Sequence, residues 1–372
     1  MNESYTHKLF SIEEAFDFSE ENKNLFFYSM KEMFSFHYHN SKIFKGICDQ
    51  YGFSSADLQT IEDVSKIPHI IVTAFKTHTL LSVDESEIFL SLTSSGTQGQ
   101  KSQTNLDKIS FDRQAFMRAA IVKSQKLNSE NPVNYLIFSY SPETSGQKGA
   151  AHTFQKYAEF APEAAKYFAL QGSSEKEVTF DVNAAIEKII EFSKTGLPLR
   201  VIGFLAFSFT TFREMERRGI ALQFPSESLL LTGGGWKSHT GETVNFDIYA
   251  GLVQKVLGIS SDRIRDFYGM VEHGVPYMSC AHRHFHIPIY SNVVAVDPGT
   301  LQVLPTGETG LLKLQTGYIR STPSISVLST DLGYIGENCP CGLEGKYIVL
   351  KGRAGVQKHA GCAISASQLI RL

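Results

Sequence analysis

The stretch Asp181-Val182-Asn183-Ala184-Ala185-Ile186-Glu187-Lys188-Ile189-Ile190-Glu191-Phe192-Ser193-Lys194-Thr195-Gly196-Leu197-Pro198-Leu199-Arg200-Val201-Ile202-Gly203-Phe204 decides the fold class. Val182, Ile186, Ile189 and Ile190 share one face of a helix over Asp181–Thr195, with Asp181 as its N-cap candidate and Gly196 as its stop. The apolar run Leu199–Phe204 then reads as a strand. Further strands at Val133–Ser139 and Leu229–Leu231, separated by helical patterns, continue the alternation. It predicts an α/β core, with ligands where loops leave the carboxyl ends of the strands.

Upstream, the first 60 or so residues read as helical, with the aromatic-rich Asn24–Met33 and no glycine before Gly46. A turn at Lys66-Ile67-Pro68 leads to Ile70-Ile71-Val72, and Glu87–Leu92 alternates as a strand. Downstream, from about His286, the pattern changes to strands and turns: Ile287–Val296, a turn at Pro305–Gly310, Leu311–Leu314 and Ile325–Leu328. The expected organisation is a helical cap over 1–65, an α/β core over 66–275, a smaller β-rich subdomain over 276–350 and a basic tail over 351–372.

The composition is that of a globular protein, with 372 residues, 42% hydrophobic and 20% charged. The 35 Lys+Arg against 38 Asp+Glu leave a net charge of −3, which argues against broad binding to nucleic acid or anionic membrane. No run approaches the ~18 apolar residues of a membrane span, and MNESYTHKLF lacks a basic segment followed by an apolar core. A cytoplasmic protein is expected. With five cysteines and no secretion signal, thiol or metal chemistry is a better expectation than a disulfide framework.

The strand Glu87–Leu92 runs into Thr93-Ser94-Ser95-Gly96-Thr97-Gln98-Gly99-Gln100-Lys101-Ser102. Small residues free backbone N–H groups to face an anion, hydroxyls add donors, and Lys101 can reach a phosphate. The spacing is not that of a Walker A loop, and a plain Ser/Gly surface turn is the alternative. Thr232-Gly233-Gly234-Gly235-Trp236 follows a strand, and three side-chain-free positions let backbone approach a flat ligand; a tight turn would look the same. Tyr268-Gly269-Met270-Val271-Glu272 places a carboxylate suited to Mg²⁺, or a solvated loop glutamate, and the neighbouring His273 reads as an uncommitted polar loop residue, with orientation of a carboxylate or substrate as the alternative. Asp331, in Ser329-Thr330-Asp331-Leu332-Gly333, suits ribose hydroxyls or a local turn. Cys339-Pro340-Cys341 with Cys280 and one imidazole from His282, His284 or His286 would make a closed tetrahedral Zn²⁺ site; reduced core cysteines are the alternative, and Cys48 reads as core. The aromatic run Phe204–Phe209 is a candidate pocket wall or plain core.

The order of these segments, ending in Gly352-Arg353 and Lys358-His359-Ala360-Gly361, resembles the acyl-adenylate-forming superfamily of acyl-CoA synthetases and their relatives. Thr93–Thr97 with Lys101-Ser102-Gln103, Thr232–Ser238, Ile264-Arg265-Asp266 and Lys358 with Gly361-Cys362-Ala363 resemble the LuxE-type acyl-protein synthetases in particular. The resemblance implies that Thr93, Ser94, Ser95, Gly96, Thr97, Gly99 and Lys101 embrace the phosphates of ATP and that Gly233, Gly234 and Gly235 lie along adenine. It also implies that Glu272 holds Mg²⁺ and Asp331 the ribose, with Tyr268, Gly269, Arg353 and Lys358 contributing to the nucleotide site. In the larger synthetases the segment like Gly352–Gly361 leads to a lid carrying a catalytic lysine; here the sequence ends at Leu372, which implies a truncated lid.

LuxE-type proteins carry the acyl group on a cysteine near the C-terminus, and Cys362 matches that position. Lys351, Arg353, Lys358 and Arg371, with no acidic residue over 351–372, favour its thiolate; an inert free thiol is the alternative. Cys280, His286, Cys339 and Cys341 resemble a set seen in phenylacetate-CoA-ligase-like relatives and not in the luminous-type synthetases, so the sequence falls between the two groups. His286 is the favoured imidazole because it directly precedes the apolar strand. The expected function is ATP-dependent ligation of a fatty or related carboxylic acid through an acyl-adenylate to the protein's own cysteine as a thioester, for delivery to an acyl reductase partner. The alternatives are an acyl- or aryl-CoA ligase and a non-catalytic adenylate-binding module.

Overall fold

The computed structural model describes residues 4–94, 101–145, 148–172, 178–235, 243–354 and 370–371. Helices α1 (Tyr5–Leu9), α2 (Glu20–Asn40) and α3 (Lys42–Tyr51) come first, followed by the short strand β1 (Ile70–Ile71) and helix α4 (Ala74–Thr77). Strands β2 (Ile88–Thr93) and β3 (Gln103–Asp107) form an antiparallel pair. Next come α5 (Lys108–Ser124), β4 (Val133–Tyr140), α6 (Pro142–Ser145), α7 (Gly149–Tyr157), β5 (Glu163–Gln171) and β6 (Thr179–Asp181). The alternation continues with α8 (Val182–Ser193), β7 (Leu199–Phe204), α9 (Leu205–Arg217), β8 (Leu229–Gly233), α10 (Phe246–Leu257) and β9 (Ile264–Tyr268). Beyond it lie β10 (Tyr277–Met278), β11 (Phe285–His286), β12 (Ser291–Val296), β13 (Gly310–Thr316), β14 (Ser326–Gly336), β15 (Tyr347–Arg353) and β16 (Ile370–Arg371).

The decisive helix is α8. Asp181 caps it, its carboxylate accepting from the amides of Asn183 at 2.8 Å and Ala184 at 3.1 Å. Val182, Ala185, Ile186, Ile189 and Phe192 bury one face, at roughly 1.5–3 kcal/mol for each large side chain. Gly196 follows the helix with φ +70°, a backbone that favours glycine.

Strands β5, β4, β7, β8 and β9 lie parallel in that order, within an eight-stranded sheet completed by β10 at one edge and by β6 and β16 at the other. The strands β7 and β8 are buried at every position, as expected of strands covered on both faces. The second sheet has the order β11-β15-β14-β13-β12, and β1 joins it parallel to β14. Helices α1 and α2 dock near it: Phe10 stacks on Tyr290 with centroids 5.5 Å apart, and the buried His37 bonds Ser82 Oγ at 2.8 Å and the Ile319 carbonyl at 3.1 Å.

Two expectations change. The single strand expected over Ile287–Val296 begins at Ser291, because Pro288 has no N–H for a ladder and the Ile289 amide bonds the Ala15 carbonyl instead. Ser329–Gly333, expected to follow the strand Ile325–Leu328 with a local turn as one reading of Asp331, lies inside the long strand β14, which absorbs the irregularity as a register shift between Leu332 and Gly333. The run Phe204–Phe209 straddles the end of β7 and the start of α9. Phe204 and Phe207 are buried against Phe154 and Phe180, with centroids 4.9 Å apart in each pair. Among the described residues, no helix is long and apolar enough to cross a membrane.

Candidate active site

The parallel strands β8 and β9 deliver their carboxyl ends, Gly233 and Tyr268, to the place where β14 and β15 of the second sheet arrive. A Cβ on Gly233 would lie 2.6 Å from the Phe267 ring, so only glycine lets these strands close up there. Gly234 and Gly235 follow with φ +85° and +95°, and the space beside Gly235 is open. The Tyr268 hydroxyl donates to Asp331 Oδ2 at 2.9 Å, while Arg353 Nε donates to Asp331 Oδ1 at 2.8 Å. Asp331 faces Arg353 across the β14–β15 ladder, so strand register itself builds the ion pair. The Asp331 amide is also satisfied, donating to Ser329 Oγ at 3.1 Å.

The neck of the Ser/Thr/Gly loop is clasped on both sides. The Ser94 amide donates to the Ser102 carbonyl at 2.9 Å, and the Ser102 amide donates to Ser94 Oγ at 3.0 Å. Thr93 bridges to Lys148, and a Cβ on the next residue, Gly149, would lie 2.6 Å from Val271. The end of β2, the start of α7 and the connection after Tyr268 therefore converge. Lys101 stands exposed at the neck.

Glu272, on that connection, is 5% exposed, so the solvated alternative does not hold. Burial raises its carboxyl above the usual range; the nearby Ser102 hydroxyl opposes this, and the charges of Lys76 and Arg353 do so from further away. The Ser102 hydroxyl does this without reaching ordinary hydrogen-bond geometry. Burial, then the Asp331 carboxylate, pushes the Tyr268 phenol well above its normal value and keeps it a donor. His273 lies in a turn but is not uncommitted: it is fully buried, stacked on Tyr277 with Nε2 2.7 Å from the phenol oxygen, and burial holds it at about 3.

The second constellation lies where β11 meets the turn before β15. One donor atom from each of Cys280, His286, Cys339 and Cys341 lies within 4.8 Å of the others. Cys341 Sγ is 3.2 Å from His286 Nε2, and Cys280 Sγ is 3.6 Å from Cys339 Sγ. Of the alternatives, His284 stacks flat on Tyr347 with centroids 3.9 Å apart and puts Nδ1 3.1 Å from Cys339 Sγ, while His282 offers its amide to Cys280. Burial, reinforced by the other thiols, pushes Cys339 up to about 12, and burial raises Cys341 as well. Three thiols and an imidazole are a donor set that fits tetrahedral zinc. Cys48 is buried in the core.

The fold thus brings Thr93, Ser94 and Lys101, Gly233 to Gly235, Tyr268, Gly269, Glu272, Asp331 and Arg353 to one end of the parallel sheet, and gathers the Cys/His set separately. Ser95, Gly96, Thr97, Gly99, Lys358 and Cys362 lie outside the described residues. Lys76, on α4, carries no motif that would single it out; only the tertiary placement of α4 lets its charge bear on Glu272.

Residues 4–371 match the family model described as acyl-protein synthetase, LuxE. A long-chain-fatty-acid–luciferin-component ligase of Vibrio harveyi is 26% identical over 357 residues, covering 94% of this chain and 89% of its own. The ligase of that name from Aliivibrio fischeri is 22% identical over 355 residues, covering 95% and 90%. Among solved structures, 2-hydroxyisobutyryl-CoA ligase in a postadenylation state with 2-HIB-AMP superposes with a TM-score of 0.67 at 14% identity. The match covers 90% of this chain and 68% of that one. Fold and family agree, and this chain belongs to the LuxE acyl-protein synthetases, which makes it a ligase.

Proposed function

We propose that this ligase uses ATP to activate a fatty or related carboxylic acid as its acyl-adenylate and then moves the acyl group to Cys362 as a thioester, for delivery to an acyl reductase protein. The observation that carries the reading is the Asp331 carboxylate, held between Tyr268 and Arg353 beside the three-glycine turn. Each carboxylate oxygen accepts one bond from the protein and keeps a lone pair for a ribose hydroxyl. Gly233, Gly234 and Gly235 offer adenine a bare backbone, with Gly269 alongside. Thr93, Ser94, Ser95, Gly96, Thr97, Gly99 and Lys101 supply donors and charge to the phosphates, joined by Arg353 and Lys358. A single buried carboxylate with a hydroxyl neighbour fits Mg²⁺, so Glu272 would hold that ion, which neutralises phosphate charge when bound. Cys280, His286, Cys339 and Cys341 would hold a structural Zn²⁺.

In the first half-reaction an oxygen of the acid attacks the α-phosphorus, the P–O bond to the β-phosphate breaks, and pyrophosphate leaves. Positioning and charge neutralisation carry this step; no protein base is required. In the second, the Cys362 thiolate attacks the acyl carbon, a C–S bond forms, and AMP leaves with the C–O bonding pair. Incubation with ATP, Mg²⁺ and mixed carboxylic acids should add an acyl mass to the intact chain. An adduct that persists in Cys362→Ser would sink the carrier role, and absence of both adduct and pyrophosphate would sink the enzyme reading. The Cys/His set favours a second reading, an acyl- or aryl-CoA ligase. Acyl transfer to free coenzyme A by Cys362→Ser would select it.

A further inference from the structure

Ile264-Arg265-Asp266 lies on β9 and takes no part in the bonds around Asp331. Its neighbour is β10, which runs antiparallel with Tyr277 facing Tyr268 and Met278 facing Phe267. Two bonds carry the pairing one residue further: the Ser279 amide donates to the Asp266 carbonyl at 2.8 Å, and the Asp266 amide donates to Ser279 Oγ at 2.8 Å. The next step in this register sets Cys280 against Arg265. Residues so placed share a face of the sheet, with Cβ atoms about 4.5–5.5 Å apart. The main chain of Arg265 is fixed from the other side, where Thr232 Oγ1 donates to its carbonyl at 3.2 Å.

The guanidinium is half-buried and has no carboxylate partner among the described residues. Nη1 donates to the main-chain carbonyls of Asp262 and, at 3.5 Å, Ile264, and Nε is enclosed without a hydrogen-bond partner. Asp262, the acid whose charge reaches Arg265, is exposed and accepts from the Ser260 hydroxyl. Arg263 opposes the charge and is itself spent on the carbonyls of Ser228 at 3.1 Å and Glu227 at 3.0 Å. The other groups within reach of the guanidinium are the sulfurs of Cys280 and Cys341. Enclosing a cation without an anion is costly, because the lost hydration is not recovered.

We infer that Arg265 is the charge partner of the Cys280, His286, Cys339 and Cys341 cluster, a positioning residue that acts on the bound ion through Cys280 and Cys341. This rests on the zinc role proposed above. A divalent ion held by three thiolates and a neutral imidazole leaves one negative charge in excess, and the guanidinium beside two of the sulfurs offsets it. Ion and arginine thus complete each other: the thiolates supply the anion that Arg265 lacks, and Arg265 makes a three-thiolate set cheaper to enclose.

The test titrates zinc out of the full chain with a chromophoric chelator and compares the wild type with Arg265→Met and Arg265→Lys. Arg265→Met should weaken zinc binding by about 10–100-fold, the loss typical when a partner behind the ligands of a metal is removed. Arg265→Lys keeps the charge and should keep most of the affinity. In the zinc-free chain Arg265→Met should melt no lower than the wild type, because the charge there has no anion to face. Zinc affinity unchanged in Arg265→Met, or Arg265→Lys as weak as Arg265→Met, overturns the inference. So does an Arg265→Met that loses equal Tm with and without zinc, which would make the side chain mere packing. Should Arg265→Met not fold, a loss of about tenfold or more in Arg265→Lys overturns it. A wild type that neither holds nor takes up zinc ends the zinc role itself, and the charge partner with it.

Discussion

Two places join the second sheet to the connection between β9 and β11, and they are built on opposite principles. Around Asp331 the protein satisfies itself, with a phenol, a guanidinium and a backbone ladder fixing one carboxylate before any ligand arrives. Around Cys280, His286, Cys339 and Cys341 it does not, since weakly bonding thiols crowd together at 3.6 Å and an imidazole faces a sulfur at 3.2 Å. The first arrangement is fixed before any ligand binds, whereas the second leaves its donors weakly partnered and fits a tetrahedral ion. The difference teaches that polar convergence has two meanings, separable by counting which groups already have strong partners.

The sharpest way to break the comparison is to remove the thiols. On the proposed zinc role, Cys339→Ser with Cys341→Ser should abolish bound zinc and lower stability by several kcal/mol, because binding to a structural zinc site contributes folding free energy; metal analysis with thermal unfolding reads both. Near-zero zinc in freshly purified wild type would remove the distinction. Asp331→Asn comes next: it weakens the bond to Arg353, worth about 1 kcal/mol because the arginine side chain is two-thirds exposed, and should cut pyrophosphate release by about 10–100-fold, chiefly through KM for ATP. An unchanged KM would mean the pair is only structural.

Glu272→Gln should move stability and activity in opposite directions. Its carboxyl is raised on folding, so between the unfolded and folded pKa the native state binds more protons and stability falls as pH rises; above both values the buried charge is a standing cost. The amide relieves that cost, so the variant should melt a few degrees higher near pH 7 while Mg²⁺-dependent pyrophosphate release is lost. A lower Tm with activity retained would count against both the burial argument and the metal role. The smallest effect is expected from Tyr268→Phe, which removes one neutral donor from Asp331 at about 1 kcal/mol, with a few-fold change in ATP affinity as the readout. An effect as large as that of Asp331→Asn would show that the phenol, not the guanidinium, dominates the site.

Much of this was legible in local pattern. The cap at Asp181 and the buried face of α8 are consequences of nearby residues alone, which is why helix and strand order could be read directly. Asp331 was legible as a binding residue but not as part of a strand, because a Thr-Asp-Leu-Gly sequence suits a turn until a facing ladder supplies the missing bonds. His273 and Glu272 stand side by side in sequence as two polar residues, and only packing buries both and turns the histidine toward Tyr277.

By itself, the sequence determined the α/β class, the order of the glycine-rich and acidic segments, and a Cys-x-Cys turn awaiting a third thiol and an imidazole, because periodicity, capping and turn chemistry act over a few residues. The tertiary structure alone decided which of those segments meet. The Tyr268–Asp331–Arg353 contact and the burial of Glu272 and His273 depend on strand register and sheet packing, which are long-range and leave no local signature.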